Sequence, residues 1–283
     1  MVLRPRPVLR RLAAGAVALA LTVGATACEL LPTGGDVLAD APAGSALETL
    51  GQLEVRGRAP RTGYDRDRFG AGWVDTDRNG CDTRNDVLAR DLTGETFRPD
   101  TGGCVVLSGT LDDPYSGRTI EFRRGEDTSE AVQIDHVVAL SDAWQKGAQA
   151  WDEARRTAFA NDPLNLLAVD GPLNQQKSDG DAATWLPPNR SYRCAYVARQ
   201  VAVKAAYGLW VTAGEREAAA GVLSRCPDEP LPAGAGAAPG AGGAPVSYAD
   251  CAAVRTAGAA PIRRGEPGWQ DAFDGDGDGV GCE

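Results

Sequence analysis

Around its single histidine the chain reads Gln133-Ile134-Asp135-His136-Val137-Val138-Ala139-Leu140. Residues 131–138 form an extended run, which predicts a strand that carries Asp135 and His136 near its end. Two later segments add polar side chains: Asp162-Pro163-Leu164-Asn165-Leu166-Leu167 and Asn174-Gln175-Gln176-Lys177-Ser178-Asp179. An acid, a histidine and two asparagines offer a metal ligand, a base, an orienting amide and a second ligand. This combination suits metal-assisted hydrolysis of a phosphodiester.

Each of these residue types has a chemical reason to be there. The neutral imidazole of His136 can take a proton from water near neutral pH. Asp135 points to the opposite side of the strand and can hold a hard divalent cation through oxygen, with Asn174 as a second oxygen ligand. Lys177 lies one turn beyond Asn174 if a helix begins there, so we expect it to contact the phosphate beside the cation.

The ordered set Asp135-His136, Asn165-Leu166 and Asn174 with Lys177 resembles the HNH nucleases of ββα-metal type. It is most similar to the GmrSD-type branch found in secreted actinobacterial proteins. The resemblance implies that His136 is the general base, that Asp135 and Asn174 bind one metal ion, and that Asn165 braces the loop and orients the base. The final histidine of the motif is Asn174 here, and we expect Mg²⁺ or Mn²⁺, with Zn²⁺ as a third option.

The resemblance extends over roughly residues 64–226 and includes Asp77 to Arg84 and Trp185-Leu186-Pro187-Pro188. It implies an α+β fold with a ββα-metal core and helical additions. Plainer readings exist for the same residues. A lone histidine in an apolar stretch is commonly a hydrogen-bonded structural residue, Asn165 could cap a turn after Asp162-Pro163, and most lysines face solvent.

The first 28 residues have the pattern of an export signal. Arg4, Arg6, Arg10 and Arg11 precede an apolar run over 12–23, which is too short for a comfortable membrane span, and small residues follow. Cys28 resembles the cysteine of a bacterial lipobox, whereas residues 25–27 also fit ordinary signal peptidase. Removing Cys28 from the seven cysteines leaves an even number for disulfides in an oxidising compartment, which favours a lipoprotein anchored through Cys28.

Composition divides the remaining chain. Residues 29–50 are rich in Ala, Gly and Pro and predict a flexible tether, and residues 51–229 predict the catalytic domain. The five arginines of residues 54–69 could line a nucleic-acid path, although a solvated basic face is the favoured interpretation. The Trp185 to Pro188 segment predicts an apolar plug that packs over the metal site.

Turn-forming residues, cysteines and helix-capping signals predict further structure within residues 51–229. Residues 75–80 have the oxygen spacing with which a calcium loop opens, yet a turn held by its own Asp and Asn side chains is favoured over calcium. The absence of a C-x-x-C pair favours a disulfide between Cys81 and Cys104 over zinc. Helical spacing predicts a helix over 191–207 that stops at Gly208, and a capping box at Thr212 predicts another. Cys194 and Cys226 would join these two helices.

After an Ala/Gly/Pro linker at 230–246, residues 247–283 predict a small separate module. Its end, Asp274-Gly275-Asp276-Gly277-Asp278-Gly279, copies the first half of an EF-hand loop. The segment resembles the excalibur calcium-binding domain of extracellular bacterial proteins. That resemblance implies Ca²⁺ bound by Asp274, Asp276 and Asp278, with Glu283 as a further ligand, and a Cys251–Cys282 disulfide. A disordered acidic end is the alternative.

The formal net charge of −10 limits the function, because a strongly retentive DNA-binding protein would usually be basic. We therefore expect an exported, monomeric, surface-tethered endonuclease that makes weak, salt-sensitive contacts with nucleic acid, DNA in preference to RNA. A non-catalytic envelope protein that binds calcium and a wall polymer is the rival interpretation. A hydrolase of another phosphodiester polymer would share the same chemistry.

Overall fold

The computed structural model describes residues 34–232, 248–256, 260–263, 269–275 and 280–282. The export signal and Cys28 lie outside these ranges. The helices are α1 (Gly34–Ala39), α2 (Ala46–Gln52), α3 (Thr83–Asp91), α4 (Leu140–Gln145), α5 (Glu153–Ala160), α6 (Gly171–Lys177), α7 (Arg193–Tyr207), α8 (Ala213–Leu223) and α9 (Cys251–Thr256). The strands are β1 (Leu92–Phe97), β2 (Val106–Asp112), β3 (Thr119–Arg123), β4 (Val132–His136), β5 (Leu166–Asp170), β6 (Ile262–Arg263) and β7 (Val280–Gly281). Within the described ranges, every helix is too short or too polar to span a bilayer.

The predicted strand carrying the histidine pairs with β5 in an antiparallel hairpin. Its register sets Asp135 opposite Leu167 and His136 opposite Leu166. Directly opposed residues share a face of a sheet, so the two functional side chains leave the hairpin on opposite faces, as predicted. The helix α6 follows β5 at once, with the Asp170 side chain capping it by accepting from the Leu173 amide. This is the strand-strand-helix core that the sequence predicts, and α4 and α5 form its helical insertion.

Each face of the β4–β5 hairpin is covered by its own hydrophobic core. On one face, Ile134 and Leu166 pack with α3 and the antiparallel sheet β1-β2-β3. On the other, Leu167 and Val169 pack with α2, α7 and α8. Burial on both faces explains why β5 is a continuous apolar run instead of an alternating one. The hairpin is therefore held rigidly, and so are the residues at its end.

The predicted C-terminal helices of the domain are present. Gly208 ends α7 with a φ of 64°, the left-handed conformation that favours glycine, and Thr212 and Glu215 form the capping box of α8. The Cys194–Cys226 disulfide joins them, and Cys81 pairs with Cys104 as predicted. Trp185 packs on the core against Tyr115 and Tyr196, which agrees with the predicted plug.

The predicted tether is wrong from Gly34 onwards, because α1 begins there and Val37 and Leu38 pack against the core that α2, α7 and α8 share. Residues 46–52 form α2, in which Ala46, Leu47 and Leu50 are buried in the core. The Ala46 amide donates to the Glu229 carbonyl at 2.9 Å, and Ser45 forms a bridge with Pro230. Ala-rich composition indicated mobility, but three apolar side chains at helical spacing provide enough buried surface to hold the segment in place.

A buried group of charges links five segments of the domain. Its ion pairs join Lys146 to Asp142, Asp181 and Glu215 at 2.7, 2.8 and 2.6 Å, Lys204 to Asp142 and Glu215 at 3.0 and 2.9 Å, and Arg58 to Asp142 and Asp181 at 3.0 and 2.6 Å. We call these six residues the buried charge cluster. Its three cations balance its three carboxylates.

The C-terminal module has a small core of its own, made of Val254, Ile262 and Phe273. Cys251 pairs with Cys282, as the excalibur resemblance implies, and β6 pairs with β7. Asp274 is half-buried. The other implied calcium ligands, Asp276, Asp278 and Glu283, lie outside the described residues, so the calcium site stays a prediction.

Candidate active site

His136 is the last residue of β4, where the chain leaves the hairpin. Its ring is buried, and its Nε2–H donates to the Ala160 carbonyl, the last residue of α5, at 2.8 Å. Trp73 stacks on the ring, with a centroid separation of 5.8 Å and an interplanar angle of 6°. The helical insertion and an upstream loop therefore fix both the tilt and the rotation of the imidazole.

This environment keeps His136 neutral. Burial lowers the pKa of His136 to about 4, the hydrogen bond to Ala160 opposes that shift, and the positive charge of Arg66 adds to it. A carbonyl can only accept a hydrogen bond, so Nε2 carries the proton and Nδ1 carries the lone pair. Nδ1 has no hydrogen-bonding partner among the described residues. At neutral pH the imidazole is therefore uncharged, and its Nδ1 can accept a proton.

Asn165 braces the turn that follows His136. Its Oδ1 accepts from the Val138 amide at 2.8 Å, its Nδ2 donates to the Val138 carbonyl at 3.2 Å, and its backbone carbonyl accepts from the Val137 amide at 2.8 Å. The side chain is fully buried. The predicted contact between this asparagine and the histidine loop is thus present, and it acts through the backbone.

We expect Asn165→Ala to lower the free energy of unfolding by about 2 to 4 kcal/mol, because both the amide and the carbonyl of Val138 lose their partner in a buried site. Urea unfolding followed by circular dichroism measures the change. Gln175→Ala, which shortens an exposed amide side chain on α6, is the control and should change stability by less than about 0.5 kcal/mol. Equal stability of the two variants would contradict the bracing role.

Lys177 does not face the substrate phosphate, although the sequence predicts that it should. Its ammonium is buried, and it donates to Asp135 Oδ1 and to the His136 carbonyl, both at 2.9 Å. The expected contact with a substrate phosphate is therefore wrong. The physical reason is that the carboxylate of Asp135 is buried and needs a counter-charge within the protein, which Lys177 provides.

The second oxygen of Asp135 has a partner that sequence reasoning missed. The buried Tyr115 hydroxyl donates to Asp135 Oδ2 at 2.5 Å. Burial raises the pKa of Tyr115 well above its usual value, and the adjacent carboxylate raises it further, so the hydroxyl stays protonated and remains a donor. Tyr115 follows a Pro-containing turn far upstream, and nothing in its local sequence signals this role. Together Lys177 and Tyr115 fix the orientation of the carboxylate.

The residues at the site fit a hard divalent ion. Asp135, Asn174 and His136 line one cavity of about 610 Å³. Asn174 Nδ2 donates to Gln133 Oε1 at 3.0 Å, and its Oδ1 has no donor among the described residues. Each oxygen of Asp135 keeps one lone pair beyond the hydrogen bond it accepts. Oxygen donors of this kind suit Mg²⁺ or Mn²⁺ better than Zn²⁺, with water completing the coordination.

Arginines from the basic stretch also reach this cavity. Arg61 and Arg66 line it, together with Arg84 from the first turn of α3. Arg58 instead belongs to the buried charge cluster. The interpretation of residues 54–69 as a solvated basic face is therefore wrong for Arg58, which pairs with buried acids. Arg61 and Arg66 are exposed, as that interpretation expects, and they line the cavity as well.

Comparison with known proteins gives matches over most of this region. Residues 82–222 match the model described as the C-terminal domain of GmrSD restriction endonucleases, and residues 248–283 match the Excalibur calcium-binding domain. An uncharacterized secreted protein of Arthroderma benhamiae is 40% identical over 186 residues, which are 65% of this chain and 86% of that protein. No solved structure matches the chain. Asp135, His136, Asn165, Asn174 and Lys177 all fall inside the first match.

Proposed function

The chain belongs to the family defined by the C-terminal domain of GmrSD restriction endonucleases and carries an Excalibur calcium-binding domain, and from this we propose that it is a metal-dependent HNH-type endonuclease that acts outside the cytoplasm. The observation that supports the reaction most directly is the neutral His136, whose Nδ1 has no partner in the described part of the chain and whose ring lines a cavity with Asp135 and Asn174. A base, two oxygen ligands and a solvent-filled space are the requirements for hydrolysis.

In the proposed reaction, His136 Nδ1 takes a proton from water as the water oxygen attacks phosphorus. The bond from phosphorus to the leaving sugar oxygen then breaks, and that oxygen gains a proton from solvent. Asn165 holds the histidine loop, and Ala160 holds the ring so that Nδ1 is the accepting nitrogen. Asp135 and Asn174 would hold a divalent ion, and this ion would supply Lewis-acid polarisation of the scissile phosphate.

Export is part of the proposal. The signal pattern of residues 1–28 supports it, and so does the similarity to a secreted protein. The three disulfides suit an oxidising compartment. We also propose a lipid anchor on Cys28, a monomeric state, DNA as the preferred substrate, and calcium binding by the C-terminal module.

The test is metal removal. Supercoiled plasmid DNA and a single-stranded RNA are incubated with the purified protein in Mg²⁺ or Mn²⁺, and then with excess EDTA. We expect nicking that EDTA abolishes and that a return of Mg²⁺ or Mn²⁺ restores. A parallel preparation of Asn174→Leu, which removes one oxygen ligand, guards against a contaminating nuclease and should be about 10 to 100-fold slower. Cutting that survives EDTA, or no cutting of either substrate, would contradict the proposal.

A further inference from the structure

Arg84 is a cation without a counter-ion among the residues that the structure describes. It lies in the first turn of α3 and lines the cavity that contains His136. Its side chain is half-buried and makes no ion pair or hydrogen bond with any residue that the structure describes. A guanidinium has five donors and remains charged at neutral pH, so a half-buried one without an acceptor is costly unless a ligand provides the acceptors.

The charges around Arg84 make this position more unfavourable. Burial lowers the pKa of Arg84, the neighbouring positive charge of Arg124 lowers it further, and Asp82 opposes both. Asp82 is already occupied as the cap of α3, where its Oδ1 accepts from the Asn85 amide at 2.9 Å. Arg124 is held in place by the Val106 carbonyl and the Asn85 side chain, both at 2.6 Å. The positive charge of Arg124 therefore repels that of Arg84, and Asp82, the acid that opposes this effect, is already engaged at the start of α3.

The acids that line the same cavity do not pair with Arg84 either. Asp135 is paired with Lys177, Asp179 lies 3.9 Å from Arg61, and the exposed Glu130 forms no ion pair with Arg84. The positive charge of Arg66, which also lines the cavity, acts on His136. The cavity itself runs the length of β4, since its lining includes Val132 at the start of the strand and His136 at its end. A strand of this length spans about 13 Å, which is more than one phosphate of a nucleic acid covers.

We propose that Arg84 binds a phosphate of the substrate strand other than the one that is cut, so that the site takes a polynucleotide in preference to an isolated phosphodiester. This inference rests on the proposed nuclease function and adds the element that recognises the substrate. A planar guanidinium pairs with two phosphate oxygens at once, which supplies both charge and geometry. In a protein of net charge −10, such a localised contact would provide much of the attraction for an anionic strand.

The test compares Arg84→Ala, Arg84→Lys and the control Arg123→Ala, which removes an exposed arginine from β3 that does not line the cavity. Two substrates are used with the full protein in Mg²⁺ or Mn²⁺: a fluorescent oligonucleotide and bis(p-nitrophenyl) phosphate, which has a single phosphodiester. We expect Arg84→Ala to lower kcat/KM about tenfold on the oligonucleotide, through KM, and by less than about twofold on the small substrate. Arg84→Lys should recover part of the loss, and Arg123→Ala should match the wild type on both.

A binding measurement separates this inference from the proposed function. Fluorescence anisotropy with the same oligonucleotide in EDTA does not depend on catalysis. There, Arg84→Ala should reduce the slope of log affinity against log salt by about 0.7, the contribution of one single-strand phosphate contact. An unchanged slope, or an equal loss of kcat/KM on both substrates, would overturn the role of Arg84. A wild type that binds with the expected slope but cuts neither substrate would overturn the nuclease function alone.

Discussion

His136→Ala is expected to cut plasmid DNA about 10² to 10⁴-fold more slowly than the wild type, the usual range for removal of a general base. The ring has no substitute nearby, because it is the only histidine of the chain. Lys177 and Tyr115 are both protonated donors already committed to Asp135. The measurement is the rate of conversion of supercoiled to nicked plasmid under saturating metal.

His136→Gln gives the matched control for structure. Its amide nitrogen reaches the position of Nε2 and can still donate to the Ala160 carbonyl, but it has no basic nitrogen, so it should be as slow as the alanine variant while melting closer to the wild type. The wild type should also show an unusual pH profile. Because burial lowers the pKa of His136 to about 4, kcat/KM should stay level from about pH 7 to about pH 5 instead of falling near the ordinary value of about 6.5. Undiminished cutting by either variant would exclude His136 as the base.

Lys146→Met is expected to lower the free energy of unfolding by about 3 to 5 kcal/mol, the range for breaking a buried ion pair by removing one partner. The Lys146 side chain has no exposed surface and contacts all three carboxylates of the buried charge cluster. Burial alone would raise the pKa of Asp142, but Lys204 and Lys146 lower it to about 2. At neutral pH Asp142 is therefore charged, and the variant leaves the buried charge cluster one cation short.

Urea unfolding of Lys146→Met is compared with Arg56→Met, which removes one cation from an exposed ion pair with Glu54. The control should lose less than about 1 kcal/mol, because solvent already screens that pair. Similar losses in the two variants would mean that the buried charge cluster contributes little to stability. A loss confined to Lys146→Met would show that the domain depends on charge balance in its interior.

Much of the fold follows from local patterns. The extended run before His136, the capping box at Thr212 and the stop at Gly208 all depend on neighbours within a few residues. The strand β1 was not predicted, because only Leu92 among its residues is buried and the rest carries no apolar alternation. The helix α2 was not predicted, because the Ala, Gly and Pro content of residues 29–50 indicated a flexible tether.

The candidate site also contains residues that the sequence predicts and contacts that it does not. The order of Asp135, His136, Asn165 and Asn174 along the chain was enough to predict that they meet, and the structure places them around one loop and one cavity. The partners of those residues could not be predicted. Tyr115 on Asp135, Trp73 on His136 and the inward turn of Lys177 depend on contacts between distant segments. Which charge pairs with which is decided by packing, and one sequence does not contain that information.

The bridge between Ser45 and Pro230, with the hydrogen bond from Ala46 to Glu229 beside it, brings the two ends of the domain together. A pulling force applied across those ends would be carried first by this contact, and the segments between them would bear no tension until it gave way. The hairpin of His136 lies outside that line of load. The domain could therefore be pulled from both ends, as a protein held at a surface would be, while the geometry around its histidine stayed undisturbed.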